Sequence, residues 1–161
     1  MKTNRLIVNA LFAVVLSAAT ALPSLAAATE DSFTTGQVTV ASNKSFEQAS
    51  DAIKSLVAKN GMMVMAEVDQ GKMLSMTGLS LKATLYLVGN PTVGKQLFEQ
   101  NHAVGLYVPL RVFVYSDNSG KTFIAYDKPS TLLSQYHNEK ITMVGQMLDQ
   151  KLQGLVTMAA E

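Results

Sequence analysis

Cysteine is absent from this chain, and charge of either sign is sparse. Without cysteine the chain forms no disulfide and cannot carry a lipid-modified type of signal, so its stability has to come from an apolar core. Only 16% of the residues are charged, and 13 Lys and Arg nearly balance 12 Asp and Glu. Since no basic block is present, we expect neither nucleic acid nor an anionic membrane surface as the main partner.

Residues 1–28 have the features of a cleaved secretory signal peptide. Lys2 and Arg5 precede an apolar run over residues 6–22, and Pro23 is followed by Ala26 and Ala28 in an A-x-A arrangement. A retained membrane anchor is the alternative, but the run is short and is interrupted by polar residues. We therefore expect a periplasmic or secreted protein without an anchor after cleavage, a flexible lead-in at 29–36 and a single domain at 37–161.

Periodicity and turn residues divide that domain into helices and strands. The best-defined helix begins after Ser45, where Gln48 completes a capping box, and ends at Asn60-Gly61. The remaining predictions are strands at 37–41, 62–69, 83–88, 107–116 and 122–126, short helices at 71–77, about 91–100 and from Pro129, and a last helix at about 139–159. Gly145 and Gly154 weaken the helical pattern of that last segment.

The order βαβ(α)βαββα predicts an α+β fold, a two-layer α/β sandwich in which helices lie on one face of a mixed sheet of about five strands. Strands such as ATLYLV are apolar on both sides. The second face therefore needs a cover, which is either the C-terminal helix or a second subunit, and a homodimer is expected.

One set of turn, cap and core residues is distributed along residues 38–133: Ser45, Phe46, Gly61, Asp69, Gly78, Gly89, Asn90, Pro91, Gly94, Leu97, Pro109, Leu110, Asp117, Gly120, Tyr126 and Pro129. In these residues the stretch resembles a bacterial family catalogued as domain of unknown function 302. The resemblance implies a small two-layer α/β fold and no established activity. This chain departs from the family pattern at Asp69-Gln70, where the family usually has Asp-His, and at Gly94-Lys95-Gln96-Leu97, where it has Gly-Thr-Pro-Leu.

The stretch from Gly89 to Lys95 has the spacing of a phosphate-binding loop and follows an apolar strand. However, Gln96 stands where a Ser or Thr hydroxyl would hold Mg²⁺, and Pro91 removes one backbone N–H. We interpret Gly89-Asn90-Pro91 as a strand-to-helix turn capped by Asn90. A weaker alternative is that Lys95 and free N–H groups at the helix start hold a small anion or a carboxylate.

Two further ligand-binding candidates accompany Asn90 and Lys95. Asp69 ends a strand and is the strongest candidate for a functional carboxylate, and Tyr126 could supply a phenol to the same face. No Ser-His-Asp order or H-E-x-x-H helix is present, and His102 and His137 fit structural or exposed positions. The catalytic residues, if any exist, are therefore unknown.

Methionines concentrate in GMMVMAEVDQGKMLSM, and thioether ligands in an exported protein suggest Cu(I). The competing interpretation is flexible core filling, in which Met63 and Met65 share one strand face and Met73 and Met76 share one helix face. We favour core filling and expect no metal and no cofactor.

Taken together, these patterns predict a small, non-catalytic binding or accessory domain whose partner is a small molecule or an envelope protein. The alternatives are a small enzyme with an acid/base site at Asp69 and a Met-based Cu(I)-handling protein. An enzyme should unite Asp69, Tyr126 or a histidine around a cavity the size of a ligand, whereas a binding domain can use an apolar groove without such convergence.

Overall fold

The structure is a computed structural model that describes residues 36–161. The predicted signal peptide and nearly all of the lead-in lie outside these residues. The elements are β1 (Gln37–Ala41), α1 (Phe46–Lys59), β2 (Met63–Asp69), α2 (Gln70–Ser75), β3 (Ala83–Gly89), α3 (Pro91–Phe98), β4 (Leu110–Ser116), β5 (Thr122–Asp127), α4 (Pro129–Leu133) and α5 (Glu139–Ala160), with 3-10 turns at His102–Leu106 and Ser134–Tyr136.

Local signals in the sequence mark where α1 begins and ends. The Ser45 hydroxyl accepts a hydrogen bond from the Gln48 N–H at 3.2 Å, and the Ser45 N–H donates to the Gln48 side chain at 3.1 Å. Gly61 has a φ of 68°, which is the left-handed conformation that glycine adopts without a Cβ penalty. Because these contacts span only a few residues, both ends of this helix were predicted correctly.

The five strands form one sheet in the order β1-β5-β4-β3-β2, and all four neighbouring pairs are antiparallel. The predicted α+β sandwich is confirmed, but the prediction that its sheet is mixed is wrong. A helix between two strands suggested a parallel crossover, whereas α3 packs against α5 and the 3-10 turn that follows it rather than across the sheet. The chain therefore re-enters the sheet from the end at which it left.

The apolar core lies between one face of the sheet and helices α1 and α5. Tyr86, Val112 and Ile124 point to this face and are at most 1% exposed, and they join Ile53 of α1 and Leu152 of α5 in a single cluster. Alternate residues of the same strands point to the opposite face. Helix α5 packs beside α1 on the first face. The prediction that the C-terminal helix covers the second face is therefore wrong.

The second face carries three aromatic side chains in a row. Tyr115 stacks on Phe113 at 5.1 Å between ring centroids and on Phe123 at 5.4 Å, and all three rings are half-buried. We call Phe113, Tyr115 and Phe123 the aromatic row. Among residues 36–161, α2 lies against β3 at the edge of this face, and no helix covers the aromatic row as α1 and α5 cover the opposite face. Most of the second face therefore stays open in the described part of the chain.

Helix α4 is capped by a side chain from α5 rather than by its own N-cap residue. Lys128 makes no side-chain cap, and the Ser130 N–H donates instead to Asp149 at 3.0 Å. The Ser130 hydroxyl donates to the second oxygen of the same carboxylate. The two helices approach closely here, because a Cβ built on Gly145 would lie 2.9 Å from the Ser130 Cα.

No helix within residues 36–161 combines the length and the apolar character that crossing a membrane requires.

Candidate functional site at the β3–α3 junction

The turn from β3 into α3 is held by Asn90. Its side-chain oxygen accepts hydrogen bonds from the Thr92 N–H at 2.8 Å and the Val93 N–H at 3.2 Å. Its amide nitrogen donates to the Gly61 carbonyl at 2.6 Å, which ties the turn to the end of α1. Asn90 is therefore the N-cap of α3, and Pro91 occupies the first helical position, where a missing N–H is tolerated.

This geometry does not form a phosphate-binding loop. Gly89 belongs to β3, and the Gly94 N–H donates to the Asn90 carbonyl at 2.8 Å as part of α3. Asn90 already occupies the N–H groups of Thr92 and Val93, which an anion at the helix start would need. The structure therefore supports the interpretation of this stretch as a capped turn, and it disfavours an anion bound by the helix terminus alone.

A cleft of ≈ 320 Å³ lies beside this turn. Most of its wall is apolar, and it is built from β2, β3, α3, the segment before β4, and α5. The lining residues are Met62, Met65, Val88, Gly89, Asn90, Pro91, Val93, Gly94, Lys95, Phe98, Val108, Pro109, Leu110, Leu148 and Lys151. A pocket of this size corresponds to the lower end of the usual range for small-molecule sites, which is roughly 300–1,000 Å³.

At Gly89 the backbone of β3 comes close to the Met65 side chain in one wall of the cleft. A Cβ at that position would lie 3.1 Å from the terminal methyl of Met65 and 3.7 Å from Pro109. Met65 is the extra residue of a bulge in β2, because Val64 pairs with Val88 while Ala66 pairs with Leu87. The bulge and the glycine thus let the Met65 side chain lie over the end of β3.

The charged residues that line the cleft are both lysines. Lys95 lies in α3 and Lys151 in α5, and no Asp or Glu lines the wall. Lys95 lies 3.5 Å from Glu99 in a pair whose side chains are 74% and 57% exposed, so this ion pair is weak. Within residues 36–161, Lys151 forms no ion pair.

Of the four predicted ligand-binding residues, Asn90 and Lys95 line the cleft, whereas Asp69 lies outside it. Asp69 is exposed and caps α2 by accepting the Lys72 N–H at 2.8 Å. It pairs with Thr84 at the opposite end of β3, roughly 20 Å from Asn90 at about 3.3 Å per strand residue. Its position is explained by the capping of α2.

Tyr126 also lies away from the cleft. It is 5% exposed on the sheet face that packs against the helices. Burial raises the pKa of its phenol, and the negative charge of Asp149 raises that pKa further. Neither Tyr126 nor His102 nor His137 lines the cleft, so no predicted acid or base converges on it.

The prediction that the methionines fill the core is wrong for four of the five in the cluster. Met62 is buried, but Met63, Met65 and Met73 are 50%, 44% and 50% exposed, and Met76 is 82% exposed. Pattern alone did not show that β2 is an edge strand or that α2 lies outside the core.

The exposed methionines are also not gathered into one place. Met63 begins β2 and Met73 follows its end, so they are separated by roughly 20 Å of strand. Among the described residues, no group of three His, Asp or Glu side chains is arranged to hold a metal ion.

Sequence reasoning missed Lys151, Leu148 and Phe98 as residues of the site. Leu148 and Lys151 are three positions apart in α5 and so share a helix face, but nothing in their spacing points to the turn at Asn90. Phe98 is 41% exposed at the end of α3, and this exposure, which can mark a binding surface, is visible only in the structure.

The described residues form a small two-layer α+β domain with an apolar cleft beside α3. Residues 38–159 match the family described as domain of unknown function DUF302, so the chain belongs to that family. A crystal structure of an uncharacterized conserved DUF302 protein from Bacillus stearothermophilus superposes with a TM-score of 0.72 at 19% identity. The match covers 77% of this chain and 98% of that one. It shows the fold.

Similarity also extends to parts of longer proteins. Two proteins named fluoride-specific ion channel FluC 1, from Brucella suis biovar 1 and Brucella abortus biovar 1, are 31% identical to this chain over 102 residues. The aligned stretch is 63% of this chain but only 40% and 38% of theirs. The chain therefore spans about two fifths of these relatives.

Proposed function

We propose that this protein is a small exported binding domain, without catalysis of its own, that takes a small, largely apolar molecule in the cleft beside α3. One observation carries the proposal. The cleft has an apolar wall and the volume of a small-molecule site, and Asp69, Tyr126 and both histidines lie outside it. An apolar groove that no carboxylate, histidine or tyrosine lines favours a binding domain over an acid/base enzyme.

The alternatives have less support. An acid/base enzyme at Asp69 would need a partner group and a cavity there, whereas Asp69 is an exposed helix cap. A Cu(I) site would need the thioethers of Met63, Met65, Met73 and Met76 to converge, and the length of β2 separates the two pairs. The channel name of the longer relatives is not proposed for this chain, because the match covers only two fifths of each.

A neutral fluorescent probe, N-phenyl-1-naphthylamine, tests whether the cleft binds apolar molecules. Gly94 lines the cleft and a Cβ built there meets nothing within 4 Å, so Gly94→Leu should partly fill it. Gly154→Leu is the matched control, since Gly154 is equally open but lies outside the cleft. We expect Gly94→Leu to weaken probe binding about ten-fold, equivalent to about 1.4 kcal/mol, and the control to leave it unchanged.

Probe binding that both variants weaken equally would place the probe outside the cleft. A wild-type protein that binds no probe, while its thermal unfolding shows that it is folded, would reject the proposed function.

Export is part of the proposal and rests on the signal features of residues 1–28. The mass of the intact protein from the cell envelope should correspond to a chain that begins near Ala27 or Thr29. An envelope form that keeps Met1 would contradict it.

We also propose a second copy of this chain as the cover of the open sheet face. The aromatic row is apolar, and the neighbouring Arg111 and Asp127 neutralise each other at 2.9 Å. The face therefore presents no excess charge that would repel its own copy.

Phe113→Lys should shift the sedimentation coefficient from dimer to monomer, and Leu106→Lys, at an 80% exposed position on the turn after α3, should not. A wild type that sediments as a monomer at high concentration would reject the dimer.

A further inference from the structure

We infer that the ligand of the cleft is a single-chain amphiphile with an anionic head, whose alkyl chain lies along the apolar wall and whose head is held by Lys95 and Lys151. The inference rests on the proposed function and adds the chemical class of the ligand. It starts from the distribution of charge around the cleft, where two cations meet an otherwise uncharged wall.

The two lysines come from different helices and are available to a ligand. Lys151 forms no ion pair within residues 36–161, and the pair of Lys95 with Glu99 is long and exposed at both ends. Exchanging that surface pair for a ligand oxygen costs little. A carboxylate or phosphate head would gain charge-assisted hydrogen bonds from one or both ammonium groups, while a cationic head would meet two like charges.

The apolar wall explains why the ligand needs a chain as well as a charge. A small free anion would leave the 44% exposed Met65 and the 41% exposed Phe98 in contact with water, and the N–H groups at the start of α3 are already occupied by Asn90. An alkyl chain against these side chains removes apolar surface from water, which stabilises the complex. The cleft therefore favours a molecule with both parts.

Three ligands of equal chain length separate the two contributions: octanoate, octanol and octylamine. Their affinities can be measured by displacement of N-phenyl-1-naphthylamine from the full mature chain at low ionic strength. We expect octanoate to bind about ten-fold more tightly than octanol, and octylamine to bind most weakly. Octyl phosphate in a fourth titration distinguishes a phosphate head from a carboxylate head, and binding tighter than that of octanoate would assign the phosphate.

The double variant Lys95→Gln, Lys151→Gln locates the head. Its affinity for octanoate should fall to that for octanol, while octanol binding stays as in the wild type. Lys59→Gln, at an exposed lysine in the last turn of α1, is the matched control and should change neither affinity. Raising the salt concentration should reduce the preference for octanoate in the wild type, because exposed charges are screened.

The possible failures can be told apart. If octanol binds and octanoate binds no more tightly, the inference about the head is rejected and the proposed function stands. A preference for octanoate that survives in the double variant rejects the assignment to Lys95 and Lys151. If none of the ligands displaces the probe and the probe itself does not bind, the proposed function fails and the inference fails with it.

Discussion

Two glycines in the same helix should respond in opposite directions to the same substitution. Gly145 and Gly154 both lie within α5, and an alanine in a helix interior is more favourable than a glycine by roughly 0.5–1 kcal/mol. At Gly154 a Cβ would meet nothing within 4 Å, so Gly154→Ala should stabilise the domain by about that amount.

At Gly145 the added methyl group would meet backbone. Its Cβ would lie 2.9 Å from the Ser130 Cα and 3.3 Å from the Ser130 nitrogen, and neither atom can rotate away. Moving α4 aside would strain the two hydrogen bonds between Ser130 and Asp149. Overpacking of this kind costs about 1–3 kcal/mol. After subtracting the gain in helix propensity of roughly 0.5–1 kcal/mol, we expect Gly145→Ala to destabilise the domain by up to about 2.5 kcal/mol.

Urea unfolding followed by far-ultraviolet circular dichroism measures both effects. Each variant is compared with the wild type and with the alanine variant at the other glycine, and the second comparison controls for helix propensity. Since the gain in helix propensity is common to both variants, their free energies of unfolding should differ by the cost of overpacking, about 1–3 kcal/mol. A Gly145→Ala protein as stable as Gly154→Ala would show that α4 and α5 do not approach each other closely, and the account of their junction would be refuted.

Three further predictions concern residues singled out from the sequence. Asn90→Ala should lower the free energy of unfolding by about 1 kcal/mol because the N-cap of α3 is lost. Asn90→Asp keeps the cap but not the hydrogen bond to Gly61, so it should recover part of that loss. If urea unfolding of Asn90→Ala is unchanged, the capping role is contradicted. Hydrogen bonds from the Ser119 hydroxyl, and then from backbone N–H groups, lower the pKa of Asp117, so the stability that its carboxylate contributes is present above about pH 4 and is lost as the pH falls through the lowered folded pKa. The melting temperature of Asp117→Asn should therefore lie below that of the wild type at neutral pH and approach it in acid, and a constant difference would refute the linkage. Met73→Leu and Met76→Leu should each change stability by less than about 0.5 kcal/mol because both side chains are exposed, and tight Cu(I) binding that is lost in these variants would restore the copper alternative.

Contacts between residues close in the chain were predictable from the sequence. The capping box at Ser45, the glycine stop at Gly61 and the Asn90-Pro91 turn each depend on atoms only a few residues apart. For this reason the order of the elements, their approximate bounds and the class of fold were all correct. The resemblance to the family also followed from such positions, because they set the architecture.

Tertiary structure alone decided which surfaces meet. Pattern did not show that β2 is an edge strand, so it did not show that Met63 and Met65 are exposed. The pattern also did not show that Lys151 lies near the turn at Asn90. These residues are 61 positions apart in the chain, and they line the same cleft only because α5 packs beside α3.

The two glycines of α5 show the same division most directly. They are alike in sequence and both weaken the helical pattern, which is a local property that the sequence determines. Whether a side chain fits at each of them depends on the distance to another helix, and only Gly145 faces α4. The sequence by itself therefore determined the local elements and their ends. The packing of those elements decided where the cleft lies and which charges surround it, since both depend on contacts between distant parts of the chain.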